Sequence, residues 1–162
     1  TPEEARAAVR GAASTGRPVM VAYTIADPES PADTEPRLRN GQSLEEAVQA
    51  LSDLPVEAIL INCSLPESIA AALPALRAHT GRPVGAYANA FTGIPEGFDE
   101  QADAMDATEA PGRRDDLDPE AYAEHGANWL RQGALIVGGC CEVGPAHIAR
   151  LRAVVDEARS AR

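Results

Sequence analysis

The chain has 162 residues, enough for one domain with a real core but short of the roughly 250 residues of a complete eightfold β/α barrel. Its 25 Asp and Glu outweigh 14 Lys and Arg, and the formal net charge of −11 repels phosphate backbones and anionic bilayers, so neither nucleic acid nor membrane is expected as a partner. No apolar run reaches the roughly 18 residues of a membrane span. The first residues, Thr1-Pro2-Glu3-Glu4, carry no basic or apolar signal region, so a cytoplasmic setting is expected. Three cysteines, an odd number, do not suggest a disulfide framework.

Thr1, Pro2 and Glu4 read as an N-cap, a first-turn proline and a capping-box partner, with Ala5, Ala8, Val9 and Ala12 at helical spacing behind them. Gly16-Arg17-Pro18 ends that helix. Val19 to Ile25 is a short, nearly continuous apolar run, as buried parallel strands tend to be. A polar loop from Asp27 to Gln42 follows, and Ser43 with Glu46 forms a second capping box ahead of Leu44, Ala47, Val48 and Leu51. Val56 to Asn62 is the next strand. Ile69, Leu73 and Leu76 mark a helix behind it, in which Pro74 predicts a kink.

Gly81-Arg82-Pro83 repeats the earlier punctuation and leads into a strand from Val84 to Asn89. Phe91 to Asp118 is acidic, rich in Gly and Pro and without periodicity, and reads as a long surface loop. Pro119 to Gln132 is a helix, Ala134 to Gly139 a strand, and Ile148, Leu151, Val155 and Ala158 the face of a last helix. The order α-βα-βα-βα-βα demands parallel strands with right-handed crossovers. Two architectures satisfy it, an open doubly wound sheet and half of a β/α barrel, and periodicity does not choose between them.

Cys63 falls where one strand stops, and Cys140 and Cys141 fall where the last one stops. In parallel β/α folds the C-terminal ends of the strands carry the active site, so all three thiols are expected in one region. Buried cysteines acting as small hydrophobes are the plainer reading. Consecutive strand residues point to opposite faces, so Cys140 and Cys141 can reach one metal only if the strand unwinds there, and Gly138-Gly139 supplies the freedom to do so. Three thiolates with an open fourth position describe a catalytic zinc site, and a soft sulfur set suits Zn²⁺ over Mg²⁺ or Ca²⁺. Such a site carries net charge −1, which keeps a bound substrate thiolate nucleophilic and suits alkyl transfer to sulfur.

Gly138-Gly139-Cys140-Cys141, followed by Gly144-Pro145-Ala146-His147-Ile148, resembles the zinc signature of the homocysteine S-methyltransferase family. Asn62-Cys63-Ser64-Leu65-Pro66-Glu67 resembles that family's Asn-Cys-x-x-Pro-Glu, and Asn128 to Ala134 resembles the run before its last strand. The match spans nearly the whole chain in the right order. It implies a (β/α)8 TIM barrel of which residues 1–162 form the C-terminal half, strands five to eight, with the N-terminal half absent. It further implies that Cys63, Cys140 and Cys141 bind one Zn²⁺. The thiol of homocysteine then completes the metal shell and attacks an activated methyl group to give methionine, with no catalytic residue beyond the metal ligands.

Asn89 stands where relatives have Tyr-Pro-Asn, here Tyr87-Ala88-Asn89, which implies a place in substrate binding beside the metal; a strand-end turn residue is the other reading. Glu142-Val143 departs from the family's usual Gly-Thr or Arg-Thr. The Glu-Thr segment that holds the homocysteine amino group in relatives is expected to lie before Thr1. The identity of the methyl donor (betaine, S-methylmethionine or methyl-folate) is not encoded in these motifs.

His79, His125 and His147 are expected as surface or packing residues, and Tyr122 and Trp129, seven apart on one helical face, as core. A half-barrel has two open edge strands and an inward face without its opposing half. Self-association, or pairing with the missing half, is therefore expected, with little methyl transfer by the piece alone. A non-catalytic zinc-binding or self-assembling half-barrel module is the alternative function.

Overall fold

The computed structural model describes residues 1–28, 31–93 and 111–160. Helix α1 (Pro2–Ala13) starts at Thr1, whose side chain accepts from the Glu4 N–H at 3.2 Å, and α2 (Leu44–Gln49) starts from the same reciprocal box between Ser43 and Glu46. Helices α3 (Pro66–His79) and α4 (Pro119–Arg131) both begin on a proline, whose missing N–H costs nothing in a first turn; Asp118 caps the second. Helix α3 runs on through Pro74 to His79. Helix α5 (Pro145–Ser160) closes the described chain.

Strands β1 (Met20–Tyr23), β2 (Ala58–Asn62), β3 (Val84–Ala88) and β4 (Ile136–Gly139) form one parallel sheet in the order β1-β2-β3-β4. Spatial order follows chain order, so these strands lack the reversal at which a doubly wound sheet opens its binding crevice. The first strand is shorter than the Val19–Ile25 run. After Tyr23 the ladder to β2 ends, Ile25 makes an antiparallel bridge to Leu38, and its N–H donates to Ser64 Oγ at 3.0 Å. The loop expected between Asp27 and Gln42 contains a 3₁₀ turn at Pro31–Asp33. At the base of the long acidic loop the chain pairs with itself through Phe91 and Arg113, and Thr92 N–H donates to Gly112 O at 2.7 Å. The rest of that predicted loop, residues 94–110, lies outside the described residues.

Alternation along the strands sorts their side chains by face. Ile59, Ile61, Val84, Ala86 and Ala88 turn toward the helices and are buried with Leu51, Ile69, Leu73, Leu76 and Trp129. Tyr122 and Trp129 both lie in this core, as their spacing predicts; their rings meet edge to face at 5.8 Å, and the indole N–H donates to Pro66 O at 3.3 Å. On the other face lie Met20, Ala22, Leu60, Gly85 and Ile136. Gly85 is required there: a Cβ would stand 2.8 Å from the Leu60 side chain and 2.9 Å from Ile136 Cβ. Met20, at one edge of this second face, is 58% exposed. No described helix is long and apolar enough to cross a membrane.

Candidate metal centre

The C-terminal ends of β2 and β4 bring Cys63, Cys140 and Cys141 together, with all three Sγ atoms within 4.8 Å of one another. Cys63 Sγ stands 3.7 Å from Cys141 Sγ, and Cys140 Sγ stands 3.8 Å from Cys141 Sγ. No disulfide joins them. Strand β3, between β2 and β4, contributes Asn89 just beyond its end.

Each thiol owes its direction to a break in the strand. Cys63 takes φ 45° and Glu142 takes φ 62°, a left-handed backbone that costs an ordinary residue roughly 1–2 kcal/mol. Both are non-glycine; one is a member of the cluster and the other follows Cys141 directly. The twist at Cys63 ends the pleat of β2 and turns its thiol toward β4. At the other side β4 stops at Gly139, and Val143 N–H returns to Cys140 O at 3.2 Å, so that the two adjacent cysteines lie in a turn rather than on opposite faces of a strand. The turn folds back onto Gly139, where a Cβ would meet Val143 Cγ1 at 2.2 Å and Val143 Cβ at 2.7 Å. Gly139 is therefore the glycine that the turn needs; the contact at Gly138 is an ordinary 3.4 Å.

Buried and half-buried polar groups hold these turns. Ser64, fully buried, receives the Ile25 N–H on its hydroxyl; Asp27 accepts from Leu65 N–H at 2.8 Å, and Arg39 donates to Cys63 O at 3.2 Å. The end of β1 thus braces the Cys63 turn. Cys140 N–H donates to Ala88 O at 2.9 Å and Ala90 N–H to Cys141 O at 3.0 Å, tying the second turn to β3. Beneath them the Tyr122 hydroxyl lies 3.1 Å from Ala88 O and 2.9 Å from Gly138 O, its one proton serving both strand ends. Burial pushes that phenol up, so it remains a donor at neutral pH.

Asn89 is fully buried. Its Oδ1 accepts from Phe91 N–H at 3.1 Å, closing an Asx turn, while its Nδ2 points toward Cys63 Sγ at 4.0 Å. The turn reading of this residue holds for its oxygen, and its nitrogen lies beside the thiol cluster.

The three sulfurs form a soft donor set that could hold a metal ion. Burial, reinforced by the neighbouring Cys140 and Cys141, pushes the Cys63 thiol up to about 12, and burial also pushes Cys141 up. A divalent ion held among the three would favour their thiolate forms and release protons on binding. The geometry fits such an ion. A tetrahedral zinc bonded to sulfur at about 2.3 Å sets its thiolates about 3.8 Å apart, and two of the three pairs already stand at 3.7 and 3.8 Å.

Of the histidines, His79 is exposed, and His125 lies half-buried 3.8 Å from Glu67. His147 is a packing residue of a specific kind. Only 4% exposed, it accepts from Gly144 N–H on Nδ1 at 3.1 Å and has Nε2 3.0 Å from Leu117 O. The signal that locates it is capping: Gly144 is the N-cap of α5, Pro145 the first residue, and His147 occupies the third position, where a Glu or Gln usually reaches back to the N-cap N–H.

Residues 1–155 match the family model described as homocysteine S-methyltransferase. The chain is 30% identical over 132 residues to the homocysteine S-methyltransferase of Escherichia coli strain K12, covering 81% of this chain and 37% of that protein. It is 27% identical over 120 residues to homocysteine S-methyltransferase 4 of Zea mays, covering 74% of this chain and 32% of that one. The crystal structure of the metallated form of the homocysteine methyltransferase MmuM from Escherichia coli superposes with a TM-score of 0.62 at 27% identity, over 93% of this chain and 40% of that chain. The chain thus spans about a third of the length of these curated relatives. A family match over nearly the full length, carried on a parallel sheet with its thiols gathered at the strand ends, places this chain in the homocysteine S-methyltransferase family.

Proposed function

We propose that the chain is the C-terminal half of a (β/α)8 barrel that activates the thiol of homocysteine on a zinc ion and passes a methyl group to it, giving methionine. The observation that carries this reading is the spacing of the Cys63, Cys140 and Cys141 sulfurs, which suits three corners of a tetrahedral thiolate shell. Zn²⁺ held there supplies a Lewis acid that favours the deprotonated form of a substrate thiol in the fourth position. The balance of the reaction is simple. The homocysteine thiol gives up its proton, its sulfur forms a bond to the methyl carbon, and the bond from that carbon to the donor breaks with its electron pair leaving on the donor.

The residues of this chain hold and aim. Cys63 and the Cys140–Cys141 turn fix the sulfur shell, and Asn89 sits against Cys63 where its amide can face an incoming substrate. The sequential strand order and the exposure of Met20 (58%) and Leu135 (61%) support a barrel wall whose open edges pair with the other half or with a second copy. Free, clustered thiols suit a reducing cytoplasm.

Metal analysis of the chain loaded with Zn²⁺ under reducing conditions, followed by methyl-transfer assays with homocysteine and each candidate donor, tests the reading. Zinc bound with little turnover by the piece alone, and turnover restored with the remaining half of the barrel, is the expected result. Robust turnover by a stable monomer contradicts the half-barrel reading. A zinc-binding or self-assembling module without catalysis is the second reading, favoured by the exposed Met20 and Leu135; bound zinc with no turnover even beside the other half selects it.

A further inference from the structure

Helix α5 begins at the foot of the turn that carries Cys140 and Cys141, and one buried side chain joins that turn to the return leg of the long loop. The His147 Nδ1 atom accepts from Gly144 N–H at 3.1 Å, so it carries no proton, and Nε2 must be the N–H that donates to Leu117 O at 3.0 Å. The ring is 4% exposed and stands edge to face against Tyr122 at 5.8 Å. Tyr122 in turn bridges the carbonyls of Ala88 and Gly138 at the ends of β3 and β4. Gly144 follows Val143, which closes the cysteine turn onto Cys140 O and packs its side chain over Gly139.

We infer that His147 is a positioning residue for the three-thiol site: through the Gly144 N–H it sets where the Cys140–Cys141 turn ends, and through Leu117 it anchors that turn to the segment entering α4. Two further features make the arrangement more than a helix cap. The turn holds Glu142 at φ 62°, a conformation that persists only where its surroundings over-determine it. Gly144 itself has no side chain with which to fix the exit of the turn. Without an acceptor the half-buried Gly144 N–H loses its partner, and the turn is free to relax from the geometry that brings Cys141 Sγ within 3.8 Å of Cys140 Sγ and 3.7 Å of Cys63 Sγ.

The inference rests on the metal reading proposed above, and its test separates the two. Native chain, His147→Phe and His147→Gln are compared under reducing conditions with two probes, Co²⁺ and arsenite, each followed by its thiolate-to-probe absorption. Arsenite condenses with three thiols to a trithiolate and three waters, reporting the cluster without requiring a metal site. Folding is checked by circular dichroism and thermal melting. Phe keeps the packing against Tyr122 but accepts no hydrogen bond, whereas Gln can accept from Gly144 N–H as in ordinary capping boxes.

The expected result is Co²⁺ affinity about tenfold lower in His147→Phe, in the range seen when groups supporting metal ligands are removed, with an altered absorption envelope. His147→Gln is expected within about threefold of native, since its carboxamide restores the capping acceptor. A folded His147→Phe chain with native affinity and spectrum overturns the inference. Should His147→Phe not fold, His147→Gln decides alone, and a folded Gln chain more than about tenfold weaker overturns it. If the native chain takes arsenite on three thiols but no Co²⁺, the metal reading fails while the same comparison with arsenite still decides the role of His147. A native chain that takes neither probe overturns both.

Discussion

The helix-facing side of the sheet and the rim at its C-terminal end are built by opposite rules. On the helix side, Ile59, Ile61, Val84, Ala86, Leu73 and Trp129 are apolar, fully buried and in ordinary strand or helix backbone. At the rim, Ser64 and Asn89 are buried polar groups, and Cys63 and Glu142 sit in left-handed backbone. The stability of the fold rests in the first region, and the arrangement of the thiols in the second. A substitution in one should leave the other largely untouched.

Cys63→Ala makes the sharpest break. Removing one of three thiolates is expected to weaken zinc binding by at least about a hundredfold, toward the upper range for damage to a metal site, while the melting temperature of the metal-free chain stays near native. Competition with a chromophoric chelator reads the first quantity and calorimetry the second. Unchanged zinc affinity would show that the thiols do not share one ion.

Trp129→Ala is the converse. Its side chain is fully buried against Tyr122, and its loss is expected to cost about 3–5 kcal/mol of stability. Denaturant unfolding measures the loss, and where the variant still folds its zinc affinity should match native. A parallel fall in affinity would mean that the rim is not independent of the core.

A smaller effect depends on pH. Burial first, and the charge of Glu3 second, push the Tyr23 phenol from 10.0 up to about 12, and its hydroxyl donates to Ala47 O at 3.1 Å. A raised folded-state value means that the native chain holds this proton more tightly than the unfolded one. The stabilisation is complete below pH 10 and is lost as pH rises toward about 12. Tyr23→Phe should flatten that part of the alkaline limb in pH-dependent unfolding of the metal-free chain; an identical limb contradicts the assignment.

The smallest effect is local. Ser43→Ala removes the hydroxyl that accepts from Glu46 N–H at 3.1 Å and should cost about 1 kcal/mol, read by denaturant midpoint, with no change in metal affinity.

The same two rules decide what could be read in the sequence. Apolar runs and capping boxes are local signals, so the described α-helices and strands were anticipated, as was the core position of Tyr122 and Trp129. Gly138-Gly139-Cys140-Cys141 and the upstream Asn62-Cys63 pointed to the thiol cluster because motif order survives where contacts are invisible. The end of β1 was less legible: Val19–Ile25 is uniformly apolar, and only the pairing of Ile25 with Leu38 and Ser64 shows that the strand stops at Tyr23. His147 was legible only in part: its capping contact with Gly144, three residues back, is a local signal, whereas its partner Leu117 lies before α4 and meets it only in three dimensions. Buried hydrogen bonds between distant backbone groups leave no period to detect.

The central claim is that Cys63, Cys140 and Cys141 hold one zinc ion together, and X-ray absorption at the zinc edge, on chain loaded and purified under reducing conditions, tests it most directly. The account predicts about one zinc per chain with three sulfur neighbours at about 2.3 Å and an open position filled by a lighter atom, or by a fourth sulfur once homocysteine is added. A chain that retains no zinc, or a shell of nitrogen and oxygen alone, would contradict it.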